Sequence, residues 1–145
     1  MNRMTYQVVV GLDGSPHGDA ALRWALRDAE VHQGQVTVLF VWQVPFSSFP
    51  GLYDREALEK AAKEFLVERV STIAPKPAVP LLPVVAEGDT AEALITAAKD
   101  ANLLVLGTRG RSPLAGLLLG SVSQVCAAAA PCPVVLVKKQ DIPEG

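Results

Sequence analysis

Four short apolar runs, Val8 to Leu12, Val36 to Trp42, Leu103 to Leu106 and Val134 to Val137, constrain this chain more than any other feature. They are continuous rather than alternating. A strand that is apolar at nearly every position is buried on both faces, as in a parallel sheet covered by helices on each side. A fifth, weaker run covers Val79 to Ala86. Pro75, Pro77, Pro80 and Pro83 remove donors that a central strand needs, so this run belongs at a sheet edge.

Between the runs the apolar period becomes helical. Leu22, Ala25, Leu26 and Ala29 fall at i, i+3, i+4 and i+7, with Arg23, Arg27 and Glu30 opposite. Leu58, Ala61, Ala62, Phe65 and Leu66 form a second such stripe, beside a favourable Glu59 and Lys63 pair. The third pattern opens with Asp89 three residues before Glu92, in the manner of a capping box, and runs through Ala91, Leu94, Ile95 and Ala98. The fourth spans about Ser121 to Ala130, where Pro131 and Pro133 end it. The order βαβαβαβαβ requires right-handed crossovers and predicts a doubly wound, three-layer α/β/α sandwich. The length of 145 residues and mass of 15.3 kDa fit one domain spanning residues 1–145.

Composition excludes several functions. Lys plus Arg at 13 against Asp plus Glu at 15 leaves a net charge of −2, with no basic run longer than Lys138-Lys139. Nucleic acid is therefore not an expected partner, because counterion release needs a basic surface. Nowhere do about 18 apolar residues run together, so no membrane partner is expected. The amino-terminal stretch meets Gly11 and Asp13 before any apolar signal core forms, and the expected location is cytoplasmic. Cys126 and Cys132 are expected to be reduced, His17 and His32 to be structural with no metal bound directly, and Trp24 and Trp42 to pack.

Ligands of open α/β sheets bind beyond the carboxyl ends of the strands, where the winding reverses. Two segments end strands with glycines and small polar residues: GLDGS at Gly11 to Ser15, and GTRGRSPLAGLLLGSVSQ at Gly107 to Gln124. Gly107 and Gly110 let backbone N–H groups turn toward a ligand, and Gly120-Ser121 at a helix start would add unpaired donors and partial positive charge. Ser121, with Gln124 three residues on, could instead simply cap that helix. Arg109 and Arg111 either charge a phosphate cradle or are solvated loop cations. Asp13 either meets a ribose, an adenine amine or a phosphate-bound cation, or makes a turn with Ser15 that caps the first helix. Val41 could offer main-chain groups to an adenine edge or be core. The long loop from Gln43 to Tyr53 ends the second strand, as a lid or a plain connection.

GLDGS, LFVW at Leu39 to Trp42, G-x2-G-x9-G-S at Gly107 to Ser121 and the PCPVVLV ending together resemble the universal stress protein family in its ATP-binding branch, within the adenine nucleotide α-hydrolase-like superfamily. The likeness covers about residues 6–138. It implies a Rossmann-like, five-stranded parallel sheet in order 3-2-1-4-5, with both motifs facing one cleft at strands 1 and 4. By resemblance Gly11, Asp13 and Val41 would contact adenosine. Leu106, Gly107, Arg109, Gly110, Gly120, Ser121, Val122 and Ser123 would surround ribose and phosphates, with Arg111 beside them. The implied cofactors are ATP and Mg²⁺, the metal carried by the phosphates with Asp13 in reach. The resemblance also implies a homodimer through the last strand, Val134, Val135, Leu136 and Val137, an edge that needs cover.

The expected function is a regulatory nucleotide-binding protein of the stress response. No catalytic residue is expected, since the chain has no G-x-x-x-x-G-K-[ST] and no carboxylate besides Asp13 placed to orient a water. Binding of AMP or cyclic AMP, or a nucleotide-free interaction module, is the alternative. ATP hydrolysis between the α- and β-phosphates is the enzymatic one, and GLDGS departs from the S-G-G-x-D-S pattern it calls for.

Overall fold

The computed structural model describes residues 5–47, 49–109 and 119–139. In chain order they form β1 (Gln7–Gly11), α1 (Pro16–Val31), β2 (Gln35–Trp42), α2 (Arg55–Ile73), β3 (Leu81–Glu87), α3 (Thr90–Ala97), a 3₁₀ turn at Ala98–Asp100, β4 (Leu103–Gly107), α4 (Ser121–Ala129) and β5 (Val134–Val137). The strands make one parallel sheet in the order β3-β2-β1-β4-β5. The proline-rich strand lies at an edge, as its prolines predict, and the winding reverses between β1 and β4, as the resemblance implies.

Alternate strand residues feed two cores. Val8, Val10, Val36, Val38 and Val105 pack under α1 and α2 with Leu22, Ala25 and Leu66, while Val9, Leu39, Leu104 and Leu106 pack under α3 and α4 with Leu94 and Cys126. Each fully buried Leu contributes about 1.5–3 kcal/mol, so the three layers hold together without staples. Cys126 and Cys132 are free thiols. Ser15 caps α1 by accepting from the Gly18 N–H, Asp54 caps α2, and Asp89 accepts from the Glu92 N–H at the start of α3.

The second helix departs from its sequence pattern. Only Ala62, Leu66 and Val70 of α2 are buried; Ala61 faces solvent, and Phe65 is 37% exposed while its ring tilts against Phe40 at 4.8 Å. Here the apolar stripe lies over the outer half of the sheet, where β3 is only partly covered. An ion pair from Arg69 to the largely buried Asp19 instead fastens α2 to the first turn of α1. Among the described residues no helix is long and apolar enough to cross a membrane.

Candidate functional site

The unequal lengths of neighbouring strands open a cleft at the carboxyl end of the sheet. β1 stops at Gly11, opposite Leu39, whereas β2 continues through Val41 and Trp42 against β3. The last bond between β1 and β2 is Leu12 N–H to Leu39 C=O at 3.0 Å. Backbone groups of a parallel strand alternate between its two neighbours, so Val41, two residues on, aims its N–H and C=O toward the space that β1 has vacated. Neither has a partner among the described residues.

The resulting cleft has a volume of about 370 Å³, within the range of small-molecule sites. Its lining joins the apolar residues Leu39 and Val41 of β2, Leu94 of α3 and Leu106 of β4 to a polar group, Gly107, Arg109, Gly120, Ser121 and Ser123, at the end of β4 and the start of α4. Asp13 lies among the lining residues and is the only carboxylate there among the described residues.

Asp13 does two things. Its Oδ1 accepts from the Ser15 N–H at 2.9 Å and from the Ser15 hydroxyl at 2.6 Å, and Ser15 Oγ accepts from the Gly18 N–H at 3.0 Å. The turn reading of the sequence is thus realised, and the carboxylate still borders the cleft. Gly18 is what allows this, since a Cβ there would meet Asp13 Oδ1 at 2.8 Å.

The polar end is built by α4, whose N-cap is Gly120 and not Ser121. No side chain caps this helix, unlike α1, α2 and α3. The capping reading of Ser121 is therefore corrected: Ser121 is the first residue of the helix, and Gln124 donates instead to the Leu119 carbonyl at 3.0 Å. The N–H groups of Ser121, Val122 and Ser123 open the helix with no partner among the described residues. The Ser123 hydroxyl is already used, donating to the Gly107 carbonyl at 2.7 Å and holding α4 against the end of β4.

Two glycines singled out from the sequence have packing reasons as well. A Cβ on Gly11 would lie 2.9 Å from Leu106 Cδ2 and 3.1 Å from Leu94 Cδ2, and one on Gly107 would strike the His17 backbone at 2.7 Å. His17 has a structural partner too, its Nδ1 accepting from the Lys139 N–H at 3.2 Å. Gly110 and Arg111 lie outside the described residues. The cleft also includes Leu12, Gly18, Leu39, Thr90 and Leu94, which the sequence reading passed over. Thr90 and Leu94 had a signal, their i, i+4 spacing on one face of α3, but that spacing serves a core equally well.

A sequence model described as the universal stress protein family matches residues 4–138. The chain belongs to this family. It is 35% identical over 138 residues to a universal stress protein of Thermus aquaticus, covering 90% of this chain and 97% of the relative. A Mycobacterium tuberculosis universal stress protein is 33% identical over 134 residues, which is 91% of this chain and 45% of the relative. The chain thus spans about half the length of the mycobacterial relatives it matches. The solved universal stress protein of Lactobacillus plantarum superposes with a TM-score of 0.78 at 26% identity, over 94% of this chain and 99% of that one. The same fold is shared by a universal stress protein solved in complex with cAMP (24% identity, TM-score 0.72), one of Archaeoglobus fulgidus with dAMP (24%, 0.67) and one of Arabidopsis thaliana with AMP bound (20%, 0.64).

Proposed function

We propose that the chain is a regulatory protein of the stress response that binds an adenine nucleotide, ATP with Mg²⁺, in the cleft beyond β1 and β4. The uncapped start of α4 carries this reading. Three N–H groups and the positive end of the helix dipole border a polar pocket, which is what phosphate oxygens require. The opposite end suits an adenine: Leu39, Val41 and Leu94 offer apolar walls, and the Val41 N–H and C=O match the ring nitrogen and amine of the base's pairing edge. Asp13, between the two ends, is placed for ribose hydroxyls or a phosphate-bound cation. Among the described residues no three His, Cys, Asp or Glu side chains gather as a metal site, so Mg²⁺ would be held chiefly by the phosphates, with Asp13 as the chain's own contribution.

The same residues support binding rather than turnover. Asp13 is the one described carboxylate in the lining, and its Oδ1 is already engaged by the Ser15 N–H and hydroxyl. A monophosphate or cyclic AMP is the second reading, favoured by the complexes of the fold relatives. Acid extraction of the purified protein with mass identification of the released nucleotide, followed by calorimetric titration, separates the two. ATP should be recovered and should bind more tightly with Mg²⁺ than with EDTA, while AMP should be indifferent to the metal. Recovery of AMP or cyclic AMP, bound more tightly than ATP, selects the second reading, and no binding of any adenine nucleotide rejects both.

A further inference from the structure

Resting on the nucleotide reading, we propose that Thr90, the first residue of α3, recognises the base by a hydrogen bond from its side-chain hydroxyl to the adenine edge that Val41 leaves open. Thr90 and Leu94 are one turn apart on α3 and both line the cleft on its apolar side. Leu94 is 2% exposed and points at Gly11, where it forms part of the floor. Thr90 is half-buried one turn nearer the rim. Among the described residues, apart from Asp13, it is the only one with a polar side chain lining the cleft outside the β4 and α4 segments.

Nothing structural calls for a threonine at this position. Asp89 already supplies the N-cap of α3 through its bond to the Glu92 N–H at 2.9 Å. Threonine is a poorer helix former than alanine, because its branched Cβ restricts rotamers and its hydroxyl competes for backbone groups. The hydroxyl also has no protein partner among the described residues. It is a donor and acceptor in an otherwise apolar wall.

The chemistry of the base completes the assignment. With the Val41 N–H on the ring nitrogen of the pairing edge and the Val41 C=O on one amine hydrogen, the second amine hydrogen and the neighbouring imidazole nitrogen remain. A hydroxyl serves either, accepting from the amine or donating to the nitrogen. The pairing edge is thus read by backbone that no substitution can alter, and the adjoining edge by one replaceable side chain.

The test pairs Thr90→Val, which replaces the hydroxyl by a methyl group of the same shape, with three ligands. These are AMP, the analogue with hydrogen in place of the exocyclic amine, and the analogue with carbon in place of the imidazole nitrogen. The valine variant should bind AMP about fivefold more weakly, ~1 kcal/mol at 1.4 kcal/mol per tenfold. The loss should shrink markedly for one of the two analogues, and Thr90→Ser should restore AMP affinity. An unchanged melting temperature shows that each variant folds. Parent-like AMP binding by the valine variant, or an equal loss on all three ligands, overturns the assignment of Thr90. Failure of the unmodified protein to bind AMP or ATP at all overturns the nucleotide reading itself, and that result is visible before any variant is made.

Discussion

Asp13 shows how one side chain serves both the fold and the cleft, and how the two roles come apart on substitution. Its Oδ1 holds the Ser15 turn that caps α1, so Asp13→Ala should cost the ligand-free protein about 0.5–2 kcal/mol, the usual range for losing a helix cap. Asparagine keeps a carbonyl oxygen for the Ser15 N–H and hydroxyl while removing the charge. Asp13→Asn should therefore retain stability to within about 0.5 kcal/mol, yet bind ATP with Mg²⁺ about tenfold more weakly, ~1.4 kcal/mol. Chemical denaturation and titration of the two variants side by side provide the measurement. If Asp13→Asn binds like the parent with the same Mg²⁺ dependence, Asp13 is a turn residue and nothing more.

Among the elements, the junction of β1 with the end of α1 carries a pH dependence. Tyr6 precedes β1, stacks on His32 with ring centroids 4.3 Å apart, and donates its hydroxyl to Asp28 Oδ2 at 2.8 Å. Burial, then the bond to the Asp28 carboxylate, pushes the Tyr6 phenol up to about 12. An unfolded tyrosine loses its proton near pH ~10. Between those values the folded chain holds a proton that the unfolded chain has released, so this contribution to stability is complete below pH ~10 and declines as pH rises toward about 12. Urea midpoints measured from pH 9 to 12 should show the advantage of the parent over Tyr6→Phe shrinking across that window. Parallel curves for the two proteins would remove Tyr6 from the account.

Strands were the legible elements, because continuous apolar runs bounded by glycine or proline leave few alternatives; β5 matches its predicted limits, and β1, β2 and β4 differ by one residue at one or both ends. The cleft was legible in part. Gly11, Asp13, Val41, Leu106, Gly107, Arg109 and Gly120 to Ser123 all line it. Thr90 was not legible, since a residue on the core-facing side of a short helix looks the same whether it meets a neighbour or a ligand. The open backbone of Val41 was not derivable from its side chain either, because it follows from β2 outrunning β1, a matter of register.

At the scale of the molecule, the two edges of the sheet are treated differently. In β3, Val36 N–H bonds to Pro80 C=O and Gly88 N–H to Trp42 C=O, so the alternation places Pro83 with its missing N–H on the open side, where it blunts the edge. In β5, Leu104 N–H bonds to Pro133 C=O and Thr108 N–H to Val137 C=O, which turns Val135 toward β4 and leaves the N–H and C=O of Val134 and Leu136 facing outward. No proline blunts this second edge, and its side chains are half-buried at most until Val137. An unprotected apolar edge invites a strand from another copy, and we propose that β5 pairs with β5 to form a homodimer. Light scattering should give about twice 15.3 kDa for the unmodified chain. Val134→Pro removes an outward donor at the first residue of the strand, where proline is tolerated, and should yield a folded monomer. Val135→Pro, whose N–H faces β4, should instead damage the sheet of each subunit. A unmodified chain that sediments as a monomer, or a Val134→Pro variant that remains a dimer, would move the interface away from β5.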